Sequence, residues 1–115
     1  MAVEYPGYGL YQQESSSAET ILENARLVVE YLTKTLRYEE RDIVLVGRSM
    51  GTGPACYLAS NCKNLAALIL ISPYTSLKAA TKTLLGSLAS MLVRERFDNL
   101  TAITKVRCPT LIIHG

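Results

Sequence analysis

The feature that most restricts this chain is a run of four apolar residues, Ile43-Val44-Leu45-Val46, that passes directly into Gly47-Arg48-Ser49-Met50-Gly51. Three of the four are β-branched, which suits a buried strand. Residues 51–60, just beyond, are small or helix-forming. G-x-S-x-G is common by chance, but at a strand-to-helix junction it reads as a nucleophile elbow. There the serine is held in a strained backbone conformation with its hydroxyl lifted off the sheet. Glycine is expected at 47 and 51 because a Cβ at either place would collide across the turn. The N–H of Met50, at the helix start, would then face the position of a developing oxyanion. The plain alternative is a tight turn that happens to carry a serine. Phosphate-binding loops fit less well: Cys56 stands where the third glycine of G-x-G-x-x-G belongs, the next strand ends in Ile71-Ser72 without a ribose-binding acid, and no Gly-Lys-Ser/Thr follows.

The remaining elements alternate around this junction. Ala2-Val3-Glu4-Tyr5 suits a short strand end, and Pro6-Gly7-Tyr8-Gly9 a turn. Ser16-Ser17-Ala18-Glu19 reads as a capping box opening a helix. Ile21, Leu22, Ala25, Val28, Val29, Leu32 and Leu36 then recur at helical spacing, with Glu23, Asn24, Arg26, Glu30 and Lys34 opposite. That helix should lay its apolar stripe on a sheet. A strand opens at Asp42 and runs to Gly47, apolar enough to be a parallel strand covered on both faces. Residues 65–71 form the next strand, residues 76–93 an unusually apolar helix, and residues 110–113 a last β-branched strand. The apolar helix reads as an ordinary buried one, with cover over an acyl pocket as the alternative. Arg94, Glu95, Arg96 and Asp98 read as a solvated face. Such alternation predicts an α/β fold with a mostly parallel sheet and helices on both faces, a three-layer αβα arrangement. Ligands of such sheets bind at the carboxyl ends of the strands. That makes Tyr74, in the loop after residue 71, a candidate substrate-binding wall, against the alternative of a loop tyrosine packed on its neighbours.

At 115 residues the chain suits one small domain, and 49% apolar composition allows a packed core. A formal charge of +2 gives no argument for nucleic acid. Cys56, Cys62 and Cys108 show neither metal spacing nor an even disulfide set, and read as reduced thiols of an intracellular protein. Cys56 lies on about the same helix face as Ser49, with packing the reason for it. No metal and no cofactor is expected. No secretory leader and no membrane-span pattern is legible.

The elbow, together with Glu4-Tyr5-Pro6-Gly7-Tyr8-Gly9, Ile71-Ser72-Pro73-Tyr74 and Cys108-Pro109-Thr110-Leu111-Ile112-Ile113-His114-Gly115, resembles the α/β-hydrolase superfamily. It is most similar there to the alpha/beta hydrolase domain-containing protein 17 family, whose studied members are serine hydrolases that remove palmitate from proteins. The resemblance covers essentially the whole chain. It implies that residues 1–115 are the central part of one α/β-hydrolase domain, without its first strands and its last strand–helix units. It implies Ser49 as nucleophile and the Met50 N–H as one oxyanion donor. The chain order Ser, acid, His places the acid and the base beyond residue 115, and the second oxyanion donor before residue 1. His114, the single histidine, is then structural or supporting, and Asp98 is a weak candidate for the acid.

Two function classes follow. The first is a serine hydrolase of an ester or thioester, acting on an acylated substrate (a lipid ester or a palmitoylated protein) in the cytoplasm or at a membrane periphery. Membrane association would belong to a full-length parent and is not encoded here, and a peptidase or lipid esterase stays open within the class. The second is a catalytically incomplete fragment or pseudoenzyme that only binds acyl groups or partners. The resemblance also implies that a strand preceding residue 1 lies between the 2–5 segment and the 43–46 strand. The sheet would then have an open edge, and the isolated chain poor stability and low activity.

Overall fold

The computed structural model describes residues 1–7, 9–11, 17–75 and 97–115. The chain divides into two compact units, Met1–Glu39 and Glu40–Gly115.

In the first unit, residues 1–5 carry no regular structure, so the strand end expected at 2–5 is not formed. A strand exists only through ladder bonds to a neighbour, and no described segment pairs with this one. Instead the Glu4 carboxylate accepts the Leu10 N–H at 3.3 Å. Gly9 has φ +50, the left-handed conformation that favours glycine, and a Cβ there would meet only the movable carboxylate end of Glu4.

Helix α1 spans Ala18–Glu30. Its capping box sits one residue later than the sequence suggests. Ser17 Oγ accepts the Thr20 N–H at 3.1 Å, and Thr20 Oγ1 accepts the Ser17 N–H at 3.0 Å. A threonine hydroxyl thus plays the part expected of Glu19; Ser16 lies outside the described residues. Ile21 and Ala25, one turn apart, are buried, and the stripe continues half-buried through Leu22, Val28, Val29 and Leu32. Glu30 pairs with Arg26 and, at 3.3 Å, with Lys34 on the wet side. The helix widens into a π turn over Tyr31–Thr35, and Arg37 then takes φ 61, which ends it.

The second unit holds β1 (Val44–Arg48), α2 (Thr52–Asn61), β2 (Ala67–Ile71), α3 (Asn99–Ile103) and β3 (Thr110–Ile113). The strands form one parallel sheet in the order β1-β2-β3, as the alternation predicts. Residues 76–93, expected as an apolar helix, lie outside the described residues, as do Arg94, Glu95 and Arg96. β1 and β2 each begin two residues later than expected. Ile43 closes a 3-10 turn through its N–H to Glu40 O at 3.0 Å, so it leads into the ladder without joining it. Glu40 also accepts the N–H groups of Lys63 and Asn64 at 3.0 and 2.9 Å, which ties the approach to β1 to the loop after α2.

Register and pleat sort the side chains. Leu45 and Gly47 align with Leu68 and Leu70 on one face, which α2 covers. Leu68 and Cys56 are fully buried, with Ala55, Leu58, Ala59 and Leu70 nearly so. α2 lies close to β1 at Gly47, where Ala55 meets it, while Gly53 faces Phe97, whose Cγ would stand 2.6 Å from an added Cβ. The other face is open within this unit: Val46, Leu111 and Ile113 are 61%, 54% and 48% exposed. The α/β class stands, but the expected cover on both faces of β1 is not provided by the described elements. The outer edge of β1 has no strand partner among them either.

Candidate active site

β1 delivers the chain to the carboxyl edge of the sheet, and α2 must return it across the same face. Ser49 makes that reversal with φ 48, a left-handed conformation that serine rarely adopts. A 3-10 turn, Ser49–Gly51, leads into Thr52, the first residue of α2. Ser49 is exposed and Met50 half-buried. The first N–H groups of such a helical start have no carbonyl behind them, so this end is electropositive.

The two glycines of the motif differ in what they do. A Cβ on Gly47 would meet Gly51 O at 2.6 Å, and Thr52 Cα and Ala55 Cβ at 2.8 Å each, so strand and helix touch through its missing side chain. Gly51 has ordinary helical dihedrals, φ −65 and ψ −13, so its conformation makes no special demand.

Beneath the turn lies a polar cluster. Thr52 Oγ1 donates to Ser49 O at 2.6 Å and accepts from Asn99 Nδ2 at 3.1 Å. Asn99 Nδ2 also donates to Tyr74 O at 2.9 Å, and the Asn99 N–H to Thr75 O at 3.0 Å. The Tyr74 hydroxyl donates to Met50 O at 3.2 Å. Thr52 is fully buried and Asn99 is 6% exposed. Asn99 Oδ1 finds no partner among the described residues, a burial that costs about 1–3 kcal/mol. Asn99 is absent from the sequence reading. Asp98-Asn99 followed by Thr101 signals a helix start, yet nothing local says that the asparagine turns inward beneath the elbow.

Comparison with known proteins finds relatives that align with nearly the whole chain. The chain is 32% identical over 116 residues to human alpha/beta hydrolase domain-containing protein 17B, covering 97% of the chain and 37% of that protein. It is 30% identical over 112 residues to alpha/beta hydrolase domain-containing protein aho-3 of Caenorhabditis elegans, 97% of the chain and 32% of that protein. The chain is thus similar to alpha/beta hydrolase domain-containing proteins over nearly its whole length. L404 of Acanthamoeba polyphaga mimivirus, named for the same hydrolases, is 28% identical over 97% of the chain. The chain spans between 32% and 41% of the length of these relatives. No family model and no solved structure matches it.

The other candidate residues fall as follows. Arg48, Ile71 and Ile113 stand in register, so Ser49, Ser72 and His114 follow one another across the carboxyl edge. Ser72 also has a positive φ, 49, and donates its N–H to Ile113 O at 2.7 Å. His114 is exposed and two strands away from Ser49, about 10 Å at the usual strand spacing. Tyr74 is at the expected edge, half-buried, with its hydroxyl on the turn backbone. Asp98 caps α3: its carboxylate accepts the Thr101 N–H at 3.1 Å and the Thr101 hydroxyl at 2.5 Å, and those bonds hold its pKa below the ordinary carboxylate value.

Neither Cys56 nor Cys62 is an activated thiol. Burial pushes Cys56 up to about 11, and burial, then the charges of Glu40 and Cys108, push Cys62 up. Among the described residues no group of His, Cys, Asp and Glu could hold a metal ion, and no helix is long and apolar enough to cross a membrane. A cleft of about 450 Å³ lined by residues such as Cys62, Lys63, Lys105 and Arg107 opens at the amino edge of the strands, the opposite side of the sheet from Ser49. The strained serine stands at the other, carboxyl edge.

Proposed function

We propose that this chain carries the nucleophile of a serine hydrolase that cleaves an ester or thioester through an acyl-enzyme. The observation that carries the proposal is Ser49 itself: exposed, at φ 48, between a parallel strand and the helix that returns over it. Its Oγ attacks the acyl carbonyl as its proton passes to a general base. The carbonyl oxygen becomes an oxyanion, and the Met50 N–H donates to it. The C–O or C–S bond breaks as the leaving group takes the proton, and water releases the acid by the reverse sequence. Acid and base are assigned to no residue of 1–115, consistent with the share of the relatives that the chain spans.

Within that class we propose a long-chain acyl group on a protein thiol, met in the cytoplasm or at a membrane surface. The similarity to the protein 17 family supports that substrate. A fluorophosphonate probe tests the nucleophile in the longest natural reading frame of this protein. Wild type should label and Ser49→Ala should not; equal labelling would refute the assignment. Palmitoyl and acetyl thioesters, compared as substrates, test the acyl length.

A further inference from the structure

We infer that Thr52 and Asn99 are positioning residues that aim the Met50 N–H at the oxyanion. This rests on Ser49 being the nucleophile. The peptide joining Ser49 to Met50 is one planar trans unit, so its C=O and N–H point in opposite directions. Whatever fixes the Ser49 carbonyl therefore fixes the Met50 N–H. A flip of this peptide would change only ψ of Ser49 and φ of Met50, so the φ of 48 at Ser49 does not by itself fix its direction.

That carbonyl accepts the Thr52 backbone N–H, which closes the 3-10 turn, and the buried Thr52 hydroxyl adds a second bond to it at 2.6 Å. A hydroxyl has one proton and can swing it elsewhere. Asn99 removes that freedom. Its amide donates into the Thr52 oxygen at 3.1 Å, so the proton of Thr52 is left for Ser49 O. The other amide hydrogen goes to Tyr74 O at 2.9 Å, and the Asn99 N–H to Thr75 O at 3.0 Å, which fix the asparagine against the loop after β2. The Ser49 carbonyl is thus drawn inward through two buried side chains, and the Met50 N–H is turned outward on the side of the Ser49 hydroxyl. Tyr74, whose hydroxyl reaches Met50 O at 3.2 Å, holds the next peptide unit and not this one.

The test uses the same full reading frame and a soluble thioester. Complete loss of an oxyanion donor costs about 10²–10³ in rate, so its misdirection by Thr52→Val or Thr52→Ala should lower kcat about 10- to 100-fold with KM within about twofold. Thr52→Ser, which keeps the hydroxyl, should restore kcat to within about threefold, and Asn99→Leu should fall between, as the hydroxyl keeps its bond but loses its guide. A merely structural role would lower the melting temperature without this split or the serine rescue. If Ser49→Ala abolishes turnover while both hydroxyl-free variants keep wild-type kcat, the inference fails and the nucleophile stands. If Ser49→Ala keeps turnover, the nucleophile reading itself fails. Should neither hydroxyl-free variant fold, a crystal structure of the wild-type phosphonate adduct decides. A phosphoryl oxygen on the Met50 N–H, with Thr52 still on Ser49 O, supports the inference. An oxygen directed elsewhere overturns it.

Discussion

Gly47→Ala is the sharpest single test of the junction, because the structure says what the added methyl would strike. It would stand 2.6 Å from Gly51 O and 2.8 Å from Thr52 Cα and Ala55 Cβ. None of these is the tip of a flexible side chain; two are backbone, and the third is fixed directly to it. Relief requires α2 to lift from β1, and α2 covers the Leu68 and Leu70 core. Overpacking of a close contact costs about 1–3 kcal/mol, and three rigid contacts place this variant at the upper end. With a urea slope of about 1.5 kcal/mol/M, 3 kcal/mol lowers the midpoint by about 2 M. The assay is urea unfolding followed by circular dichroism and by an independent probe, with coincident transitions required. Ala55→Gly removes one of the three clashes and leaves the two backbone contacts, so the double variant should regain only part of the loss. A midpoint within about 0.3 M of wild type for Gly47→Ala would show that strand and helix do not meet through this glycine.

Three further outcomes follow from the same structure. Cys56 keeps its proton in the folded state up to about pH 11 but loses it near 9 when unfolded, so the stability it supports is intact below pH 9 and lost as pH rises from there to about 11. Cys56→Ala should flatten that alkaline loss in melting curves, and an unchanged slope would contradict the burial. The Asp98 carboxyl is held below its ordinary 3.8, so its cap on α3 persists above that pH and fails as pH falls through the lowered value. Amide exchange at Thr101 should accelerate there in wild type and show no such step in Asp98→Asn. The open sheet face around Val46, Leu111 and Ile113 should drive the 115-residue chain to associate, and Val46→Lys should shift its sedimentation toward monomer. A wild-type monomer with a cooperative melt would count against this.

How far these features are legible in the residues depends on how local their causes are. The elbow is legible because strand, turn and helix start lie within a dozen consecutive residues, and each residue type states its own constraint. The parallel sheet follows from alternation, and the start of β1 drifts where the 3-10 turn Glu40–Asp42 competes for the same backbone groups. The α1 cap is displaced by one residue because Thr20 can return the bond expected from Glu19. Residues 2–5 have strand chemistry and no strand, since pairing is a property of two segments and one segment cannot declare it.

Asn99 marks the far limit. It is 47 residues from Thr52, and its meaning arises only when α3 folds beneath α2. On the proposed reading the motif locates the nucleophile, while side chains distant in sequence hold the peptide beside it. A chain could keep G-x-S-x-G intact, lose the donors beneath it, and still take up a phosphonate slowly while turning over thioesters poorly. Labelling and turnover should accordingly separate in Thr52→Val more than in Ser49→Ala, where both vanish together. That separation distinguishes a serine that is merely exposed from one whose oxyanion donor is held in place.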